Sequence, residues 1–289
     1  MNDLAQAILL GVVQGLTEFL PVSSSGHLVL AQLALGEQFE FADSAVVFDL
    51  VLHAGTLLPV LWFYRADLIR IVSAFLPWTR AVQNPVPIHA EGGGMVVTTE
   101  AVQDRRIALY VILATIPTGL IGVLFKDVFE ELFHNVHAVC IALGVTGALL
   151  LSTRITQRDK AGTGALTHLT PGKALLIGLV QGMAITPGIS RSGSTIATAL
   201  LLGVPREEAA RFSFLLSIPA ICGAIVLMLK DGATLAGMSM DLLAAGFVAA
   251  LAVGYIALVA LVALVKRGGL YRFTYYVWPL AIAAWYFLS

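Results

Sequence analysis

The chain has 289 residues, of which 58% are hydrophobic and only 12% charged, against about 25% charged in a soluble domain. Mean hydropathy is +0.88 and the formal net charge is −1, so composition points to a membrane protein and gives charge no role in nucleic-acid binding. Cys140 and Cys222 sit in separate apolar runs and predict neither a disulfide nor a metal framework.

In chain order, the first apolar run, 3–19, lacks a basic leader and is interrupted by Gln6, Gln14 and Glu18, so it does not read as a cleaved signal peptide. A spanning helix needs about 20 apolar residues. Six segments approach that length: 45–64, 107–125, 136–152, 209–229, 242–265 and 273–288. Pro205 followed by Glu207 and Glu208 makes a good start for the fourth. Four shorter apolar pieces, 3–19, 26–35, 172–186 and 193–204, pair across two Ser/Gly-rich loops. Segments of roughly 10–14 residues suit re-entrant pieces better than spans. The expectation is two helical hairpins, 3–35 and 172–204, that enter the membrane and return. The 78–104 segment, rich in Pro, Asn and Gly, is expected as the one sizeable loop.

The chain repeats itself. Gly11-Val-Val-Gln-Gly15 precedes Ser23-Ser24-Ser25-Gly26, and Gly178-Leu-Val-Gln-Gly182 precedes Ser190-Arg191-Ser192-Gly193, at a constant offset of 167. Each half, 1–152 and 153–289, holds one hairpin and three spans. Three is odd, so the halves lie upside down relative to one another. The fold class expected is an all-α polytopic membrane protein: an inverted repeat of six transmembrane helices plus two re-entrant helical hairpins. Of the 17 Lys and Arg, Lys126 and Lys230 fall on one side, Arg191 lies in the second Ser loop, and the other 14 fall on the opposite side. The positive-inside rule makes that side cytoplasmic and puts both termini outside.

Irregular backbone at membrane depth must be buried in protein or line a watery cavity. Matching loops in inverted halves point to a binding site between them. Gln14 and Glu18 share a helix face at i, i+4. Glu18 falls three residues before Pro21, at the end of the first hairpin helix. Hydroxyls and free N–H groups at a helix start make an anion site, which nominates Ser23, Ser24, Ser25 and Gly26, with His27 one turn in. The second loop offers Ser190, Ser192, Gly193 and Thr195, and Arg191 replaces Ser24. A guanidinium fork beside serines suits phosphate. Ser and Gly at helix starts are ordinarily caps. What sets these apart is the conjunction of carboxylate, hydroxyls, imidazole and guanidinium in the only two irregular intramembrane loops. The GxxxG pairs Gly11/Gly15 and Gly178/Gly182 read as close packing that lets the hairpins approach. Asp49 and His53, also i, i+4, read as a pair that supports the site from behind or is structural, and His89, His134, His137 and His168 receive no role.

The run Gln14-Gly-Leu-Thr-Glu18-Phe-Leu-Pro-Val-Ser-Ser-Ser-Gly-His27 resembles the first signature of the undecaprenyl-diphosphatase family, and Pro187-Gly-Ile-Ser-Arg-Ser-Gly-Ser-Thr195 resembles its second. The resemblance covers essentially the whole chain, including Phe48-Asp49 and Phe212-Ser-Phe-Leu-Leu216. It implies hydrolysis of undecaprenyl diphosphate to undecaprenyl phosphate and phosphate at the outer face of the bacterial cytoplasmic membrane. That recycles the lipid carrier for peptidoglycan and is linked to bacitracin resistance. It also implies a divalent cation, Mg2+ or Ca2+, with Glu18 as ligand, and a homodimer. Gln14 stands where other variants carry a second Glu. On this reading Ser24 is the nucleophile, with His27 as its base or as the acid for the leaving group. Glu18 holds the metal or orients His27, and Arg191 stabilises phosphoryl charge. A histidine nucleophile and metal-bound water stay open as alternatives. A secondary transporter with a midplane anion site is the competing class. A lipid kinase fits less well, because there is no Walker-type loop.

Overall fold

The computed structural model describes residues 3–35, 45–75, 85–89, 95–156, 168–230 and 239–288. These residues are almost wholly helical. The first half holds α1 (Asp3–Phe19), α2 (Ser24–Leu35), α3 (Ala45–Phe63), α4 (Arg65–Ser73), α5 (Glu100–Leu124), α6 (Lys126–Phe133) and α7 (Val136–Ser152). The second holds α8 (Pro171–Met183), α9 (Arg191–Leu201), α10 (Arg206–Lys230), α11 (Met240–Lys266) and α12 (Thr274–Phe287).

Both expected hairpins are present as a helix, a break and a helix: α1–α2 and α8–α9. Four helices are long and apolar enough to cross a membrane: Val102–Leu124, Val136–Thr156, Arg206–Lys230 and Met240–Lys266. A fifth candidate, Val47–Phe63, is bent by 71° into Arg65–Ser73. The apolar pattern ends there and the polar α4 begins. The sixth, α12, has 14 residues, about 21 Å at 1.5 Å per residue, which falls short of a full crossing. The chain is therefore a multi-pass helical membrane protein. Leu124 and Ile256, 73% and 68% exposed, fit a surface bathed in lipid.

The 78–104 segment corrects an expectation. Within it, β1 (Pro85–His89) pairs antiparallel with β2 (Met95–Thr99), and α5 already starts at Glu100. Pro85 and Pro87 share parity along β1, so both missing N–H groups can fall on its unpaired edge. Residues 76–84 and 90–94 lie outside the described residues.

The glycine pairs pack, but not hairpin against hairpin. α1 lies on α11 and α8 lies on α5. A Cβ at Gly15 would come within 2.6 Å of the Ala250 carbonyl oxygen, and one at Gly178 within 2.7 Å of the Ala114 Cα. Each hairpin is thus seated on a long helix from the other half. This exchange places the two breaks face to face. A Cβ at Gly26 would lie 3.1 Å from Gly188 Cα, and one at Gly193 3.1 Å from Pro21 Cβ. Phe19, Tyr64 and Phe214 pack beneath the junction, with Phe19 and Phe214 centroids 6.0 Å apart and edge to face.

Candidate active site

The two loops are built alike. Pro21 cannot extend α1, and it biases the residue before it away from helical backbone. Ser23 then turns the chain at φ 72°. Its Oγ accepts the Gly26 N–H at 3.3 Å and its carbonyl accepts the His27 N–H at 3.2 Å, so Ser23 caps α2. In the second loop Gly188 supplies a positive φ of 96°. Ser190 caps α9 by accepting the Gly193 N–H at 3.1 Å. Each cap also shares a proton with the serine two residues on: Ser23 with Ser25 and Ser190 with Ser192, both at 3.3 Å. Ser24 and Arg191 are therefore equivalent first residues of two helices whose positive N-terminal ends converge.

Both reach the same carboxylate. Glu18, 6% exposed, accepts Arg191 Nη2 on Oε1. On Oε2 it accepts Ser24 Oγ at 2.6 Å and Gln14 Nε2 at 3.0 Å. Arg191 also sends Nη1 to the Ser217 carbonyl at 3.4 Å. Its side chain keeps 20% of its surface exposed, against 4% for Glu18, so a ligand can meet the guanidinium from the open side. Gln14, Glu18, Ser24 and Arg191 thus form one cluster, with a hydroxyl, a carboxylate and a guanidinium fork in contact.

The other nominated residues stand around it. Ser23, Ser190, Ser25 and Ser192 fix the loops, and Ser192 Oγ donates across to the Leu20 carbonyl at 3.3 Å. Gly26 and Gly193 allow the close approach. Thr195 is turned toward α10, where its hydroxyl meets Ser213 Oγ at 2.5 Å. His27 does not bond Ser24. Its Nδ1 donates to the Ser23 carbonyl at 2.7 Å, which leaves Nε2 to accept the Tyr276 hydroxyl at 2.8 Å. The His27 and Tyr276 rings stack 5.7 Å apart.

Three participants escaped the sequence reading. His53 Nε2 stands 3.8 Å from Glu18 Oε2. Its Nδ1 donates to the backbone carbonyl of Asp49 at 2.7 Å, so the i, i+4 pairing was visible but its partner was not. Thr146 holds the second loop from α7, donating to the Gly188 carbonyl at 2.8 Å and accepting the Ser190 N–H at 3.0 Å. Tyr276 carries no sequence signal.

A resident divalent cation does not fit these residues. Glu18 is the one carboxylate in the cluster, and donors already take both its oxygens. Among the described residues no three His, Cys, Asp or Glu side chains converge.

Comparison with known proteins identifies the family. Residues 7–283 match the family described as bacitracin resistance protein BacA. A protein named undecaprenyl-diphosphatase from Methanobrevibacter smithii is 44% identical over 281 residues, covering 97% of this chain and 96% of that protein. One of the same name from Desulfatibacillum aliphaticivorans is 44% identical over 273 residues, covering 94% of each. Another, from Carboxydothermus hydrogenoformans, is 41% identical over 281 residues, covering 96% of this chain and 94% of that protein. The chain belongs to the bacitracin resistance protein BacA family.

Proposed function

We propose that Ser24, Glu18 and Arg191 carry out the hydrolysis of undecaprenyl diphosphate. The protein is an undecaprenyl-diphosphate phosphatase. It releases phosphate and returns undecaprenyl phosphate, the lipid carrier used in peptidoglycan synthesis. The observation that supports these residue roles is the shared carboxylate: Glu18 holds the hydroxyl of Ser24 and the guanidinium of Arg191 at once.

In this reading the diphosphate enters between the two helix N-termini. Arg191 leaves Glu18 for the phosphoryl oxygens, which it grips through two N–H groups. The freed carboxylate takes the Ser24 proton as Oγ attacks the terminal phosphorus. The bond to the bridging oxygen breaks, undecaprenyl phosphate departs with the proton that Glu18 had taken, and the phosphoryl group rests on Ser24. Water, deprotonated by Glu18, then releases phosphate and restores the serine. Positioning and electrostatic stabilisation supply most of the rate in such transfers. His27, its Nε2 freed from Tyr276, would relay the serine proton from Glu18 to the leaving phosphate. A Mg2+ or Ca2+ ion, expected from the resemblance, would enter with the diphosphate.

Halves 1–152 and 153–289 would form an inverted repeat, with six crossings and re-entrant hairpins 3–35 and 172–204. Both termini would lie outside the cytoplasmic membrane, with the site open to the extracytoplasmic face and the protein a homodimer. The excess of 14 Lys and Arg on one side against two on the other and the exchanged seating of α1 on α11 and α8 on α5 support this arrangement.

The test is direct. Purified protein in detergent is given undecaprenyl diphosphate and free phosphate is measured. Release is expected, and its absence would overturn the reading.

A further inference from the structure

We infer that His53 positions the water that releases phosphate from Ser24. The inference rests on the proposed function and adds a residue to its second step. His53 lies on α3, one turn beyond Asp49. Its Nδ1 donates to the Asp49 carbonyl at 2.7 Å, so the neutral ring keeps Nε2 as an acceptor. Nε2 stands 3.8 Å from Glu18 Oε2. That is too far for a direct hydrogen bond and a span that one water bridges. Such a water would donate one hydrogen to Oε2 and the other to Nε2, leaving its lone pairs free to attack. Ser24 Oγ is 2.6 Å from the same Oε2, which puts the water beside the oxygen that carries the phosphoryl group.

Access and support both favour this placement. The His53 side chain keeps 32% of its surface exposed, against 4% for Glu18, so water reaches Nε2 while the carboxylate stays enclosed. One helix, α11, sets both groups. A Cβ at Gly55 on α3 would lie 2.8 Å from the Phe247 carbonyl oxygen of α11. A Cβ at Gly254 on α11 would lie 3.1 Å from Phe19 and 3.4 Å from Thr56. Phe19 follows Glu18 in the chain, and Thr56 donates to the His53 carbonyl at 3.0 Å. The imidazole and the carboxylate are therefore held in fixed relation, as a positioned nucleophile requires. In the second step one water hydrogen passes to Glu18 as the water oxygen bonds to phosphorus. The bond from phosphorus to Ser24 Oγ breaks, and Glu18 returns that proton to Oγ. The other hydrogen leaves on the phosphate, and His53 neither gains nor loses a proton.

The test uses purified protein in detergent and undecaprenyl diphosphate radiolabelled in its terminal phosphate. His53→Phe fills the space without an acceptor, and His53→Ala removes the ring without adding bulk. In both, kcat should fall roughly tenfold to a hundredfold, the scale of a misplaced reactant. Label should then accumulate on the protein as phosphoserine at Ser24 after an acid quench. kcat/KM should stay within about twofold of wild type, because it reports only the steps up to departure of undecaprenyl phosphate. That retention also shows that the variants fold. A merely structural role would lower kcat/KM and leave no phosphoserine. His53→Gln, whose amide oxygen accepts from water, should regain most of the lost kcat and carry little label. An unchanged kcat in His53→Phe and His53→Ala, or a loss of kcat/KM without phosphoserine, overturns the inference while phosphate release by the wild type leaves the function standing. If Ser24→Ala keeps turnover and no His53 variant carries phosphoserine, Ser24 is not the nucleophile and the inference falls with it.

Discussion

Glu18 and Arg191 form an ion pair across 173 positions of the chain, joining the end of α1 to the first residue of α9. A charge at membrane depth is costly and persists where it is paired or used. Arg191 is also the repeat partner of Ser24, which bonds the other oxygen of the same carboxylate. Between Ser23–Gly26 and Ser190–Gly193 the one difference is Ser24 against Arg191, and it sets a cation and a hydroxyl on either side of one base.

The guanidinium should not be replaceable by charge alone. Arg191→Lys keeps the cation but loses the fork that holds two phosphate oxygens. Turnover should fall about a hundredfold or more, in line with the ~3 kcal/mol lost with one transition-state donor. Near-wild-type turnover with an intact fold would remove Arg191 from the chemistry.

His27 and Tyr276 separate resting contact from function. Tyr276→Phe keeps the stacked ring but frees Nε2 of His27. Its turnover should stay within about threefold of wild type, whereas His27→Ala should lose on the order of a hundredfold, the scale of general acid–base catalysis. Steady-state phosphate release on both variants checks this. An equal, large loss in Tyr276→Phe would show that the phenol itself takes part.

How much of this could be read from the sequence varies with the physics. The hairpins, the caps and the Gln14–Glu18–Arg191 set were legible, because buried charge and broken apolar runs are local signals. The seating of Gly11 and Gly15 on α11 was not, since GxxxG announces close packing without naming the partner. Nor was the pairing of His27, whose partner lies 249 residues away. The strands at 85–99 were hidden by Pro and Gly, which read as loop. The bend after Phe63 was hidden because an apolar run of spanning length does not show where its backbone turns.

Packing at the repeat glycines can be measured as stability. Gly178→Ala would press a Cβ into the backbone of Ala114, which cannot rotate away, at a cost of about 1–3 kcal/mol. Gly119→Ala, in open space, should melt at or above the wild-type temperature, since Ala is the better helix former by up to about 1 kcal/mol. Thermal unfolding in detergent compares the two. Equal melting temperatures would contradict the seating of α8 on α5.

The proposed orientation rests on the charge count and is open to labelling. Cysteines replacing Glu130 and Asp231 should react with an impermeant thiol reagent added outside intact cells. Cysteines replacing Arg80 and Arg158 should stay protected. The reverse pattern would put the first hairpin on the cytoplasmic side.

The nucleophile is the claim on which the chemistry turns, and turnover of Ser24→Ala at saturating undecaprenyl diphosphate tests it most directly. Loss of a hydrogen bond alone would cost ~1–3 kcal/mol and leave measurable release. Loss of the attacking oxygen should leave none above background, while Arg191 and Glu18 still bind substrate. If Ser24→Ala kept more than about a tenth of wild-type turnover, a deficit of only ~1.4 kcal/mol, Ser24 would not be the group that attacks phosphorus.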